Sequence, residues 1–259
     1  MELGIAGKNA IVCASSKGLG RGCAFALAQE GVNVVINGRH REEVEATANA
    51  LRAQTKVQVT EVVADVTTAE GRARLLDACP QPDILVTNAG GPPALDFRKL
   101  GEKEWLEGLI PNLVAPVLLI KEVIDGMTER RFGRIVNITS RSVKTPLLHL
   151  PLSNAARAGL TGFIGGLSRQ VAPHNVIVNN LLPGPFATDR QMGQVRSKAT
   201  EMKIPVDDYL KSQHAQVPVG RFGTAEEFGR ACAYLCSVHA EFIVGQNLLM
   251  DGGGFVSTL

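Results

Sequence analysis

The run from Asn9 to Arg39 constrains this chain more than any other stretch. An apolar segment, Ala10-Ile11-Val12-Cys13-Ala14, leads into a turn of small residues, Ser15-Ser16-Lys17-Gly18-Leu19-Gly20. An apolar helical pattern through Phe25, Ala26 and Leu27 follows, Gly31 stops it, and a second apolar segment runs from Val32 to Ile36. Strand, turn, helix and strand of these lengths form the right-handed crossover that joins two parallel neighbours.

The chemistry of that unit sits in its turn. Gly18 and Gly20 let the main chain approach a ligand closely, and the free N–H groups at the start of the following helix suit a pyrophosphate, so a phosphate-bearing dinucleotide is the expected guest. Two glycines alone fit an ordinary tight turn equally well, and Ala14 stands where the usual dinucleotide fingerprint has its first glycine; the flanking strands favour the ligand. After the second strand comes Asn37-Gly38-Arg39, where an NAD-binding unit places a carboxylate on the ribose 2′-hydroxyl. No carboxylate stands there. Arg39 and Lys17 either converge on a 2′-phosphate, as a planar fork and a point charge, or are two solvated cations. The first reading is preferred, and with it NADP(H) over NAD(H).

The 259 residues are not divided by any Ser/Gly-rich or charge-rich linker, so a single domain is expected. A net charge of +2 gives no argument for nucleic acid. Met1 to Lys8 has neither a signal core nor a twin-arginine pattern, and no apolar run reaches membrane-spanning length, which predicts a cytoplasmic protein. Five cysteines, Cys13, Cys23, Cys79, Cys232 and Cys236, lack metal-type spacing, and the histidines are scattered, so no metal site is expected.

Further along, a helix is predicted over 41–54 and a strand over 57–63 that ends at Asp65. Thr67 and Glu70 fit a capping box opening the next helix. Asp65 with Val66 then lies on the carboxyl edge of the sheet, as an adenine contact or as a plain turn residue. The strand Ile84 to Thr87 runs into Asn88-Ala89-Gly90, small residues that allow close approach. A helical pattern from Glu102 to Arg130 contains Pro111 and Pro116, which must kink or divide it around Asn112. The strand 134–138 ends in Thr139-Ser140, a loop carries Arg141, Lys144 and His149, and a helix is predicted from about 154 to 171. The strand 176–182 leads to Pro183-Gly184-Pro185-Phe186-Ala187-Thr188. A polar segment over about 189–216 has the length of a lid, and Met192, Met202 and Val206 within it either cover an apolar acyl chain or pack on the core. Thr224 and Glu227 form a second capping box, and the last strand, 247–250, closes with Asp251-Gly252-Gly253.

Taken together, Ser16-Lys17-Gly18-Leu19-Gly20, Asn88-Ala89-Gly90, Asn112, the strand ending at Ser140, Pro183-Gly184 and Asp251-Gly252-Gly253 resemble the short-chain dehydrogenase/reductase family, closest to its 3-oxoacyl-(acyl-carrier-protein) reductase-like members. The resemblance covers essentially the whole chain. It implies an α/β, Rossmann-type doubly wound parallel sheet of about seven strands with helices on both faces. It also implies a homotetramer or dimer, a small-molecule carbonyl or acyl substrate, and a catalytic set of Asn, Ser, Tyr and Lys. Asn112 and Ser140 match that set. Thirteen residues after Ser140, at the family's tyrosine position, stands Ser153, and four further on, at its lysine position, stands Arg157. The two tyrosines, Tyr209 and Tyr234, lie elsewhere.

A serine hydroxyl is a far weaker proton donor than a tyrosine beside a lysine, and arginine keeps its proton. Three readings follow. The protein is an oxidoreductase in which Ser140 and Ser153 hold the carbonyl oxygen, Arg157 or a water stabilises the alkoxide, and His149 is a candidate proton donor; it is a dinucleotide-binding sensor or oligomer partner without hydride transfer; or it performs another reaction on a carbonyl compound. The first is preferred. By resemblance Ser15, Ser16, Gly18, Leu19 and Gly20 meet the phosphates, Asn88, Ala89 and Gly90 the ribose, Arg157 the nicotinamide ribose, and Phe186 and Thr188, after Pro183-Gly184, the nicotinamide amide. Arg131 and Arg169 match positions where carrier-protein reductases hold basic residues, although the plainer reading, surface arginines at helix ends, is preferred.

Overall fold

The computed structural model describes residues 1–92 and 94–257. One seven-stranded sheet takes β1 (Asn9–Val12), β2 (Asn33–Gly38), β3 (Val59–Val63), β4 (Ile84–Thr87), β5 (Gly133–Ile138), β6 (Val176–Pro183) and β7 (Asn247–Met250). The strand order is 3-2-1-4-5-6-7, with every neighbouring pair parallel. The first helices are α1 (Gly18–Gln29), α2 (Arg41–Gln54), α3 (Ala69–Ala78), α4 (Glu102–Leu109) and α5 (Ala115–Glu129). They are followed by α6 (Pro151–Val171), α7 (Asp189–Met202), α8 (Val206–Ala215) and α9 (Ala225–Cys236).

Successive strand residues point to opposite faces, so an apolar run without alternation feeds two cores. Val12, Ile36, Val86 and Val136 pack with α1, α2 and α9, while Ile11, Val35, Leu85 and Ile135 pack with α3, α5 and α6. Each fully buried aliphatic side chain contributes roughly 1.5–3 kcal/mol of transfer free energy, which is why the sheet is the rigid frame of the molecule. The strand order reverses between β1 and β4, and the carboxyl ends of the strands part there to leave a crevice. A polar row crosses the sheet just below that edge. Thr87 Oγ1 donates to Asn137 Oδ1 at 2.7 Å, Asn137 Nδ2 to Asn180 Oδ1 at 3.1 Å, and Asn180 Nδ2 to Asn247 Oδ1 at 2.8 Å. These four residues are register partners on β4 to β7, so one side chain per strand locks the edge in line.

Several expected boundaries shift. The second strand begins at Asn33 rather than Val32, and the third at Val59 rather than Val57. The cap of α3 is Thr68, whose Oγ1 accepts from the Gly71 N–H at 3.0 Å; Thr67 instead donates its hydroxyl to Asp65. The stretch 102–130 divides at Pro111, where a π turn, Ile110–Val114, separates α4 from α5. Pro116 does not break the chain, because it lies in the first turn of α5, directly after the π turn, where its fixed φ suits the helix. Helix α6 begins at Pro151, not near Asn154, again with proline at its start, so Ser153 sits on the helix rather than in the loop before it. The segment 189–216 is α7 and α8, pinned by Val195 beside Val217, Phe222, Tyr209 and Leu210, with Met202 and Val206 partly exposed. No helix among the described residues is long and apolar enough to cross a membrane.

Candidate active site

The glycine turn sits at the crevice. Helix α1 starts without a side-chain cap and without an acidic residue in its first turn, whereas Thr68, Thr188 and Thr224 cap α3, α7 and α9. Its first N–H groups are therefore left for a ligand. Gly18 has φ +59°, and a methyl on Gly20 would fall against the Ala14 carbonyl and 2.9 Å from Asn88 Nδ2. Ala14 itself has φ +45°, the conformation a glycine adopts without strain. Its N–H donates to Asn37 Oδ1 at 3.1 Å and its carbonyl accepts from Asn88 Nδ2 at 3.2 Å, so β2 and β4 hold it from both sides. Ser15 is buried and donates to the Val12 carbonyl, and Thr47 Oγ1 donates to the Ser16 carbonyl. This cradle fits a dinucleotide's phosphates: uncapped donors, a backbone that Gly18 and Gly20 leave open, and no acidic residue in the helix's own first turn.

The two cations expected at a 2′-phosphate are both exposed, and each lies beside a carboxylate. Lys17 Nζ is 2.7 Å from Glu43 Oε1, and Arg39 Nη1 is 3.9 Å from Asp65 Oδ2. Glu43, from the first turn of α2, was not singled out by the sequence; nothing at the strand end announces it. Lys17 is the main reason its carboxyl is held below the ordinary range. Burial opposes the charge on Asp65, but the Thr67 amide and hydroxyl and Arg39 outweigh it, and that carboxyl is also held down. Val66 is buried beside it, and Arg72 donates to the Val66 carbonyl.

In the middle of the crevice, Ala89 and Gly90 follow β4, and a methyl on Gly90 would meet open space. Asn112 is buried in the π turn and donates from Nδ2 to the Gly90 carbonyl at 3.2 Å. Pro116 has no N–H with which to close an i→i+4 bond onto the Asn112 carbonyl, so the π turn and the proline together loosen the ladder at this residue.

Ser140 stands two residues past β5, and its Oγ accepts from the Ser142 N–H at 3.0 Å. Ser153 and Arg157, one turn apart on α6, meet: Arg157 Nε donates to Ser153 Oγ at 3.2 Å. Arg157 Nη1 donates to the carbonyls of Ile138 and Thr139 at 2.9 and 2.6 Å, so the guanidinium clasps the end of β5. Burial, with a smaller push from the Arg190 charge, lowers its pKa to about 10, and it remains a cation near neutral pH. His149 lies on an exposed loop whose backbone carbonyl accepts from the Leu95 N–H.

Pro183 ends β6, and the Gly184 N–H donates to the Met250 carbonyl at 2.8 Å. The Phe186 ring turns into the core, edge-on to Phe228 with centroids 5.2 Å apart, so only its main chain faces a ligand. Thr188 Oγ1 accepts from the Gln191 N–H, and its methyl lies 3.7 Å from where a side chain on Gly18 would start. The start of α7 thus faces the glycine turn across the crevice. Arg190, also missed by the sequence reading, reaches back from α7 to the Pro92 carbonyl at 3.3 Å. Among the described residues no group of three or more His, Cys, Asp or Glu is placed to hold a metal ion. Burial pushes the Cys13 thiol up to about 12, which leaves it protonated.

A parallel sheet reversing at β1/β4, a glycine cradle on α1 and a serine at the end of β5 facing α6 define a class, and residues 13–254 match the family model described as enoyl-(acyl-carrier-protein) reductase. The chain belongs to the short-chain dehydrogenase/reductase family. It is 32% identical over 263 residues to the 3-oxoacyl-(acyl-carrier-protein) reductase FabG of Aquifex aeolicus, a match covering 98% of this chain and 100% of that protein. It is 29% identical to the NADPH-dependent reductase BacG of Bacillus subtilis, over 96% of this chain and 98% of that one. The crystal structure of L-sorbose reductase from Gluconobacter frateurii, complexed with NADPH and L-sorbose, superposes with a TM-score of 0.94 at 29% identity, over 99% of this chain and all of that one.

Proposed function

We propose that this chain is an NADP(H)-dependent oxidoreductase acting on a carbonyl or hydroxyl substrate, its 259 residues working as one domain, with Ser140, Ser153 and Arg157 serving where the family uses serine, tyrosine and lysine. The observation that carries the reading is the 3.2 Å bond from Arg157 Nε to Ser153 Oγ. Because the guanidinium already donates to that oxygen, the Ser153 hydroxyl proton is free to point away, towards a substrate oxygen. A hydroxyl backed by a buried cation is a stronger donor than serine alone, and such preorganised donors stabilise developing alkoxide charge. Ser140 supplies the second hydroxyl. The dinucleotide, when bound, supplies or accepts the hydride.

The remaining site residues take binding roles in this proposal. Ser15, Ser16, Gly18, Leu19 and Gly20 hold the phosphates, Asp65 and Val66 border the adenine, and Asn88, Ala89 and Gly90 line the ribose. The main chain of Pro183, Gly184 and Phe186 with Thr188 meets the nicotinamide, and the free edge of Arg157 faces its ribose. Lys17 and Arg39 read the 2′-phosphate by leaving Glu43 and Asp65, which supports NADP(H) over NAD(H); the NADPH named for BacG and the sorbose reductase structure points the same way. The segment 189–216 acts as the lid, Asn112 orders solvent at the Gly90 edge, and His149 supplies the proton once the loop closes. A cytoplasmic homo-oligomer, tetramer or dimer, and a 3-oxoacyl thioester as one candidate substrate complete the reading.

A second reading, a dinucleotide-binding sensor or oligomer partner without hydride transfer, is favoured by one observation: the group beside Ser153 is a guanidinium, which holds its proton. Fluorescence titration with NADPH and NADH, then a carbonyl screen followed at the nicotinamide absorbance, separates the two. Tighter binding of NADPH with turnover supports the enzyme. NADPH binding without turnover, and turnover gained only in Ser153→Tyr with Arg157→Lys, supports the sensor. If Lys17→Ala with Arg39→Ala leaves the NADPH/NADH ratio unchanged, the 2′-phosphate assignment is wrong. His149→Ala is expected to lower turnover 10²–10⁴-fold, by the usual contribution of roughly that size from a general acid; a twofold change removes it from the mechanism.

A further inference from the structure

The end of β2 has no carboxylate of its own, yet one lies beside it. Gly38 closes the strand, and a methyl on it would fall 2.6 Å from Ser16 Oγ and 2.9 Å from Val44 Cγ2, so the strand end, the glycine turn and the first turn of α2 meet at one point. Glu43 reaches that point from α2. Its Oε1 accepts from Lys17 Nζ at 2.7 Å, and its Oε2 accepts a longer bond from Ser16 Oγ at 3.4 Å. The carboxylate thus meets the same serine hydroxyl that a side chain at position 38 would strike.

The helix that carries it is anchored. Thr47, one turn further along α2, is buried and donates to the Ser16 carbonyl at 2.7 Å, and Val44 is buried in the core. Glu43 is therefore delivered by a fixed backbone, while its side chain and that of Lys17 stay open to water, 35% and 58% exposed. An ion pair so exposed is weak and exchanges partners readily.

Two ligands meet this carboxylate in opposite ways. A ribose 2′-hydroxyl donates to it, as it does to the strand-end carboxylate of an NAD-binding unit. A 2′-phosphate brings further negative charge against it and must draw Lys17 away. We propose that Glu43 is the specificity-determining residue of the cofactor site: it accepts from the 2′-hydroxyl of NAD(H), competes with the 2′-phosphate of NADP(H) for Lys17, and so lets the chain bind both dinucleotides with a narrowed preference for the second. This rests on the dinucleotide-binding reading above, and on the convergence of Lys17 and Arg39 at the 2′-phosphate.

The experiment is calorimetric titration of the full chain, of Glu43→Gln and of Glu42→Gln with NADPH and with NADH, repeated with the fragments adenosine 2′,5′-bisphosphate and 5′-AMP. Glu42 is exposed in the same helical turn, so its variant removes the same charge away from Lys17. The parent should bind both dinucleotides. In Glu43→Gln the preference for NADPH should widen about tenfold, the scale of one hydrogen bond to a charged group, with NADPH tighter, NADH weaker and the two fragments shifted alike. Glu42→Gln should move the ratio less than about twofold, as a screened charge does. A ratio unmoved by Glu43→Gln overturns the proposal. So does an equal shift in Glu42→Gln, which assigns the effect to net charge, or a shift of the dinucleotides without the fragments, which places it away from the 2′ position. A parent that binds NADPH and not NADH overturns it as well, and a parent that binds neither removes the cofactor site with it. The expected shift without turnover in the carbonyl screen keeps Glu43 in this role and removes the reductase reading; turnover with an unmoved ratio does the reverse.

Discussion

The two ends of the crevice are built in different ways. At the glycine turn the ligand-facing groups are backbone: uncapped N–H groups of α1, a Gly18 of positive φ, and a Gly20 that lets Asn88 and the Ala14 carbonyl close in. At the serine end they are side chains: Ser140 and Ser153 are held by near neighbours in the chain, and Arg157 by the carbonyls at the end of β5. Main-chain sites tolerate few residue types, because only small residues leave the backbone open; side-chain sites can be rebuilt by exchanging one hydrogen-bonding group for another of similar reach. The same contrast separates α1 from α9, which pack backbone to backbone through Gly22 and Gly229: α9 spends its first N–H groups on Thr224 and Glu227, while α1 keeps its own free.

The sharpest way to break the comparison is Ser153→Ala. If the serine end works through side chains, kcat on a substrate from the carbonyl screen should fall about 10²–10³-fold, as for loss of one oxyanion donor, with NADPH binding and unfolding midpoint unchanged. An unchanged kcat would remove Ser153 from the chemistry. Next in size is Arg157→Met, which leaves the Ile138 and Thr139 carbonyls without this donor; a stability loss of about 2 kcal/mol is expected in urea, and an unaltered midpoint would mean that the clasp on β5 is dispensable.

Ala14→Gly probes the backbone end. Relief of the positive φ should raise stability by about 1 kcal/mol and leave NADPH binding the same or tighter. A lower midpoint would show that the alanine methyl contributes packing worth more than the strain. The smallest effect concerns the capped helix. The Arg221 guanidinium, then the Thr224 N–H, hold the Glu227 carboxyl down to about 2. A group depressed in the folded state adds stability above its unfolded value of about 4.3, and that contribution fades as pH falls towards 2. Glu227→Gln should therefore differ from the parent by a few tenths of a kcal/mol at pH 6, the scale of an exposed pair, and converge with it near pH 2. A constant difference across that range would assign the effect to something other than ionisation.

Much of the frame was legible residue by residue. The helix over 41–54 and the strand over 247–250 fall where their apolar periodicity and flanking breakers place them, and the Thr224–Glu227 box forms both of its bonds. The misplacements share a cause. Thr67 and Thr68 are equivalent caps until Asp65 takes the Thr67 hydroxyl, and α6 starts three residues earlier than expected because the fixed φ of Pro151 suits the first helical position. Glu43 and Arg190 were not legible as site residues at all, because each acquires its role by lying across the crevice from groups distant in sequence.

By itself the sequence determined the alternation of parallel strands and helices, the position of the glycine turn and the absence of tyrosine thirteen residues after Ser140, since these depend on local periodicity, on residues without a Cβ and on identity alone. Only the tertiary structure decided that Arg157 clasps the end of β5 and backs the Ser153 hydroxyl, that Lys17 rests on Glu43, and that the edge of the Arg190 guanidinium meets Gly91. A side chain's partner is chosen by which strands and helices the fold brings within about 3 Å, the range of a hydrogen bond, and that choice is made by packing, not by neighbours in the chain.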